Sequence, residues 1–259
     1  MGKIVSIHSF RGGTGKSNIT ANLAAQVAMK GYRVGIVDTD IQSPGIHVLF
    51  GLNEGNMGHT LNDYLHGKCG IEEVAFPVGE SVTEEPGCKQ LAGKALWLIP
   101  SSINSREIAD VLKRGYDANV LNKGLKNLRK GLNLDYLFID THPGLNEETL
   151  LSIALSDVLL IVLRPDQQDF QGTAVTVDIA RSLDVPNLLM VINKALSRYD
   201  PKQIRAEVEN RFRGSVAGVM VLTEDMADLQ SRDLFSLRYP NHPWSKSLNE
   251  VAQFVFNLP

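Results

Sequence analysis

Residues 11–17 read Arg11-Gly12-Gly13-Thr14-Gly15-Lys16-Ser17, and this run constrains everything that can be built around it. Before it, Ile4, Val5 and Ile7 have strand spacing within residues 3–10. After it, Leu23, Ala24, Val27 and Ala28 have the spacing of one helical face within residues 19–29. A glycine-rich turn between a strand and a helix lets backbone N–H groups curl into one concavity, at the positive end of the helix dipole. Gly12, Gly13 and Gly15 supply the curl, with Thr14 between them and Asn18 following. Lys16 reaches the β- and γ-phosphates of a nucleotide, and the Ser17 hydroxyl ligates Mg²⁺. Directly before the glycines stands a cation, Arg11.

Apolar runs at 33–38, 95–99, 136–140, 158–163, 187–193 and 216–221 alternate with helical patterns over 104–114, 117–131, 147–155, 171–183, 201–211 and 245–256. This alternation predicts an α/β fold, a doubly wound and mostly parallel sheet with helices on both faces. At 259 residues and 43% apolar content the chain can bury a full core, and it reads as one domain over 1–259. A short helix is expected around 60–66 and a surface excursion at about 76–94. Ligands in such sheets bind at the carboxyl ends of the strands, where the loop, Asp38, Asp40, Asp140 and Asn193 all fall.

A net charge of −3 does not announce nucleic acid. Two cysteines, Cys69 and Cys88, in no paired pattern, fit a reduced, cytoplasmic protein. No leader is expected ahead of the first strand, and no apolar run approaches the ~20 residues of a membrane span.

The acids complete the chemistry. Phosphoryl transfer to water needs a metal, a positioned water and charge neutralisation. Asp140 ends a buried strand in Asp140-Thr141-His142-Pro143-Gly144 and can hold Mg²⁺ through water. Gly144 can offer its N–H to the γ-phosphate and hinge a switch. Asp38 belongs near the metal and Asp40, one residue further out, can orient the water. His142 either senses the γ-phosphate or only shapes the Pro143 turn. His8, in an apolar strand, reads as a core histidine and Phe10 as packing. The run Asp166-Gln167-Gln168-Asp169 is either a partner contact or a helix start capped by Asp169. Guanine readers carry Asn-Lys-x-Asp; here Asn193-Lys194-Ala195-Leu196 has the Asn without the Asp. Adenine is therefore favoured, contacted by Asn193 and by the backbone near Thr223.

The loop, the Asp38-x-Asp40-x-Gln42 stretch and the 140–144 switch resemble the MinD/ParA ATPases, the deviant Walker A group of P-loop NTPases, over nearly the whole chain. The 239–246 stretch resembles the segment before that family's last helix. The resemblance implies ATP and Mg²⁺ binding, an ATP-dependent homodimer with sandwiched nucleotides, and slow hydrolysis stimulated by a protein partner. It places Arg11 where the family carries a signature lysine that reaches the partner's phosphates. Arg11 keeps the charge and adds a planar fork; it either acts across the dimer or pairs with a local acid. Cluster-bearing members need cysteines that this chain does not place, and the tyrosine-rich tail of the related kinases is absent. The tail after 254 has no basic amphipathic face, so no direct membrane anchor is expected there. Lys113, Arg114, Lys123, Lys126, Arg129 and Lys130 crowd into 113–130, which suits either non-specific DNA or a solvated face. The leading expectation is an ATP-hydrolysing switch that positions or regulates a cellular component. The alternatives are a metabolic or cofactor-maturation ATPase or kinase of the same fold, and a non-hydrolysing nucleotide-binding scaffold.

Overall fold

The computed structural model describes residues 2–80 and 84–258. Its eight strands are β1 (Lys3–His8), β2 (Val34–Asp38), β3 (Phe76–Pro77), β4 (Leu96–Ile99), β5 (Tyr136–Asp140), β6 (Val158–Leu163), β7 (Asn187–Ala195) and β8 (Ser215–Val221). They form one sheet in the order β3-β4-β2-β5-β1-β6-β7-β8. All pairs are parallel except β3 with β4.

The strands are apolar along their whole length because both faces are covered. Successive side chains divide between the faces: Val5, Ile7 and Phe138 join one core, while Ile4, Leu137 and Ile139 join another. The helices Lys16–Met29 and Pro243–Asn257 cover the first face; Ala118–Gly131, Gln167–Ser182 and Pro201–Phe212 bring the buried residues of the second. At roughly 25 cal/mol per Å² of apolar surface removed from water, this double coverage is the main favourable term in the fold.

The strand order reverses at β1, which lies between β5 and β6. Such a switch point opens a crevice at the carboxyl ends of the strands. The register sets what faces it: Asp38 at the end of β2 pairs with Asp140 at the end of β5, and Ile7 of β1 pairs with the same Asp140.

Two expectations change. The helix expected from residue 171 begins at Gln167, because Asp166 Oδ1 accepts the Asp169 N–H at 2.9 Å and caps it. Asp169 instead accepts Arg164. The stretch 76–94 is not wholly at the surface: Val78, Cys88 and Leu91 are buried, and Asp233 accepts the N–H groups of Gly87 and Cys88 at 2.8 and 3.0 Å. Residues 81–83 of that stretch lie outside the described residues. Phe10 packs as expected; its ring lies so close to Gly172 that a Cβ there would sit 2.1 Å from Phe10 Cδ1.

Candidate nucleotide site

Residues 9–15 connect β1 to the helix Lys16–Met29 with no side-chain cap on its first turn. The orphan N–H groups of that turn are thus left to an anion. Gly15 adopts φ 91°, and a Cβ on it would sit 2.5 Å from Asn193 Nδ2. Both constraints demand glycine. The loop borders a cleft of about 300 Å³ whose walls include Gly12, Lys16, Ser17, Asp40 and His142.

Three donors converge on one buried carboxylate beneath the cleft. Lys16 Nζ lies 2.9 Å from Asp140 Oδ1, and the Ser17 hydroxyl donates to Oδ2 at 2.7 Å. The Thr20 hydroxyl is 3.0 Å from Oδ1 and equally from the Lys16 carbonyl oxygen. Asp140 and Lys16 are 1% and 6% exposed, so each neutralises the other out of water. Asp140 and the Ser17 oxygen are hard donors suited to Mg²⁺. The cleft, the uncapped helix start and this oxygen pair fit a magnesium nucleotide. No cluster of three or more His, Cys, Asp or Glu able to hold a metal occurs among the described residues.

The expected third metal residue is placed differently. Asp38 Oδ1 accepts the Asp40 N–H at 3.1 Å, and Oδ2 accepts Gly45 and Ile46 N–H at 3.0 and 3.3 Å. Both oxygens thus fold the loop after β2 rather than face the cleft. Burial, and then the Asp140 charge beside it, push the Asp38 carboxyl up to about 7. Asp40 does reach the cleft; burial raises its carboxyl, opposed first by the Lys16 charge. Gly144, with φ 88°, does not offer its N–H to the cleft: it donates to Ser9 O at 3.2 Å.

On the far side of Gly15 lies a cavity of about 210 Å³ lined by Asn18, Asn193, Thr223, Met226 and Trp244 among others. Asn193 is partly committed, since its Nδ2 donates to Thr14 O at 2.8 Å. Its amide oxygen and the second Nδ2 hydrogen remain for a base. The Thr223 hydroxyl accepts the Asp225 N–H at 3.3 Å and caps Glu224–Asp228. Arg11, its side chain 40% exposed, reaches Gln168 and lies 3.6 Å from Asp169 Oδ1. The local pairing is therefore realised, although Asp169 is already held by Arg164.

A model described as an AAA domain matches residues 2–191. The chain belongs to this family, as a MinD/ParA-type member. It is 28% identical to the flagellum site-determining protein YlxH of Helicobacter pylori over 96% of this chain and 80% of that one. Its fold superposes on the cell division ATPase MinD of Pyrococcus furiosus with a TM-score of 0.81 at 21% identity, over the whole of both chains. MinD of Pyrococcus horikoshii, solved with Mg-ADP, gives 0.80 at 19% over 99% and 97%. That structure holds Mg²⁺ and a nucleotide in the same fold.

This MinD/ParA-type site contains residues that the motifs did not single out. Thr20 lies one turn from Ser17 on the same helical face, a signal present in the spacing. Lys194 was visible beside Asn193; its Nζ donates to Gly13 O at 2.8 Å and ties the loop from outside. Ser43 and Thr39 had no sequence signal. The Ser43 N–H donates to Asp40 Oδ1 at 3.1 Å, and the Thr39 hydroxyl to Asp140 O at 2.8 Å.

His8 is buried beneath the loop. The Thr141 hydroxyl spends its proton on Ile7 O at 3.0 Å, so it accepts from His8 Nδ1–H at 2.9 Å. Nε2 is buried with no partner in the structure. Burial, and then the Lys16 charge, push His8 down to about 3. The unfolded chain takes up this proton below about 6.5 and the folded chain does not. The His8 contribution is therefore whole above pH 6.5 and is lost as pH falls towards 3. Between pH 6.5 and 5 it amounts to about 2 kcal/mol, at roughly 1.4 kcal/mol per pH unit. Urea denaturation at the two pH values should show that much less loss in His8→Asn; an unchanged slope would assign the loss to other groups.

Proposed function

We propose that the chain is an ATP-driven switch that dimerises with ATP and Mg²⁺, hydrolyses ATP slowly until a protein partner stimulates it, and so positions or regulates a cellular component. The convergence of Lys16, Ser17 and Thr20 on Asp140, with Asp40 across the same cleft, carries this reading. With a nucleotide bound, Lys16 would reach the β- and γ-phosphates, and Ser17 and Asp140 would hold Mg²⁺. Bound Mg²⁺ supplies charge neutralisation on the phosphates. Asp40 orients the attacking water. The name of the Helicobacter relative, a site-determining protein, supports a positioning role.

Arg11 is the proposed trans contact. Its partners are the neutral Gln168 and the buried Asp169, which Arg164 already holds, so its release leaves no buried charge unpaired. MgATP should shift the sedimenting mass from monomer to dimer, MgADP should not, and Arg11→Ala should stay monomeric with MgATP bound. A wild-type chain that binds MgATP and keeps one mass contradicts the dimer.

Cytoplasmic residence is part of the proposal and fits the free Cys69 and Cys88. Among the described residues no helix is long and apolar enough to cross a membrane. Of the 113–130 cations, Arg114 pairs with Asp110 and Arg129 with Asp157. Lys113, Lys123, Lys126 and Lys130 are exposed and form the surface that non-specific DNA would use. A second reading, an enzyme passing the phosphoryl group to a small substrate, is favoured by a cavity of about 130 Å³ beside the cleft. Gln42, Tyr116, His142 and Glu148 are among its walls. It requires turnover that depends on an added substrate.

A further inference from the structure

We infer that His142 is the second acceptor for the attacking water, holding one of its protons while Asp40 holds the other. This rests on the ATPase reading above and assigns a residue to it.

The argument starts at the ring's other nitrogen. His142 Nδ1 lies 2.6 Å from the Pro143 carbonyl oxygen. A carbonyl only accepts, so Nδ1 carries the hydrogen, and in the neutral ring Nε2 bears a lone pair. The Thr149 hydroxyl donates to the His142 carbonyl at 3.3 Å and helps hold the residue in place. The side chain is 25% exposed and lines the cleft over the loop.

Nε2 faces Asp40 Oδ1 at 3.8 Å. That oxygen already takes the Ser43 N–H, which leaves it one free lone-pair direction. An ionised carboxylate oxygen and an unprotonated imidazole nitrogen are both acceptors. They do not bond to each other, and 3.8 Å is beyond a hydrogen bond in any case. One small species with two donors satisfies both, and that species is water. A single acceptor fixes one O–H direction and leaves the molecule free to spin about it. Two acceptors fix both O–H directions, and with them the oxygen lone pairs, in the cleft that the loop also lines. Such orientation is what phosphoryl transfer to water asks of the protein.

The step then balances simply. The water oxygen forms a bond to the γ-phosphorus. The bond from that phosphorus to the bridging oxygen breaks, and its electron pair leaves with ADP. The proton displaced from water ends on the released phosphate.

Three measurements test the assignment. In the ligand-free protein at pH 8, ¹⁵N shifts should show His142 as the neutral Nδ1–H tautomer; an imidazolium paired to Asp40 overturns the proposal. A crystal structure with a non-hydrolysable ATP analogue should show a water within about 3.2 Å of both Nε2 and Asp40 Oδ1. A cleft in which Nε2 contacts only protein overturns it. In single-turnover assays His142→Ala should slow hydrolysis about 100-fold with MgATP affinity within about twofold of wild type, and added imidazole should restore part of the rate. A wild-type rate in His142→Ala, with Asp40→Asn slow, removes His142 and leaves the ATPase standing. A wild-type protein that never hydrolyses ATP removes both.

Discussion

Lys16→Ala is expected to weaken MgATP binding by about 10²–10³-fold. The ammonium group is the one buried cation at the loop among the described residues, and charge-assisted hydrogen bonds to phosphate are worth about 1.5–3 kcal/mol each. Losing one or two of them gives that range. The same substitution should destabilise the ligand-free chain by about 3 kcal/mol, because Asp140 is left buried without its counter-charge. It would retain only the Ser17 and Thr20 hydroxyls. The two effects separate in a cycle with Asp140→Asn. Adding that change to Lys16→Ala removes the orphaned charge and should recover most of the lost stability in urea denaturation. Titration calorimetry should still find the affinity lost. Lys16→Ala binding MgATP as tightly as wild type would mean that the loop is not the phosphate site.

Much of the fold was legible because its signals are local. β5 and β6 are unbroken apolar runs closed by polar residues, and only a strand covered on both sides reads that way. The glycine loop between β1 and the Lys16–Met29 helix was legible for the same reason. Three neighbouring patterns agreed on one supersecondary unit.

The misplaced elements are those settled by side-chain pairing, near or far in the chain. In sequence Asp169 reads as the helix cap, yet Asp166 caps the helix. Arg164 decides between them by drawing Asp169 away. Residues 84–94 look like surface because Pro86 and the Glu84-Glu85 pair dominate their composition. They are held by Asp233, more than 140 residues later, which caps the N–H groups of Gly87 and Cys88. The helices Glu224–Asp228 and Phe235–Arg238 are too short to show a period.

At the site, residue types were legible and side-chain directions were not. Strand-end position brought Asp38, Asp40 and Asp140 together. Which of them turned inward depended on the loop after β2: the N–H groups of Gly45 and Ile46 needed an acceptor, and Asp38 met that need. His142 shows the same limit. Its place in the switch was visible, but the Pro143 carbonyl that fixes its tautomer follows only from the folded turn.

Asp40→Asn should separate binding from turnover. The amide keeps an oxygen that can take the Ser43 N–H, so the loop after β2 can keep its shape. Lys16, Ser17 and Asp140 are untouched, and MgATP affinity should stay within about twofold of wild type. The amide can also present its NH₂ to the water, which misorients it, and it lacks the negative charge that holds the proton. Removing a positioned acceptor of this kind costs about 10²–10⁴-fold, and single-turnover hydrolysis should fall by at least about 100-fold. With binding intact and hydrolysis stalled, the ATP-bound dimer should persist for as long as nucleotide is present, whereas in wild type it should decay as ADP forms. Rapid quench and sedimentation on the same samples check both. Equal rates in the two proteins would take Asp40 out of the reaction. A slow rate with an equally short-lived dimer would uncouple assembly from hydrolysis, and the switch would then have to be reset by nucleotide release instead.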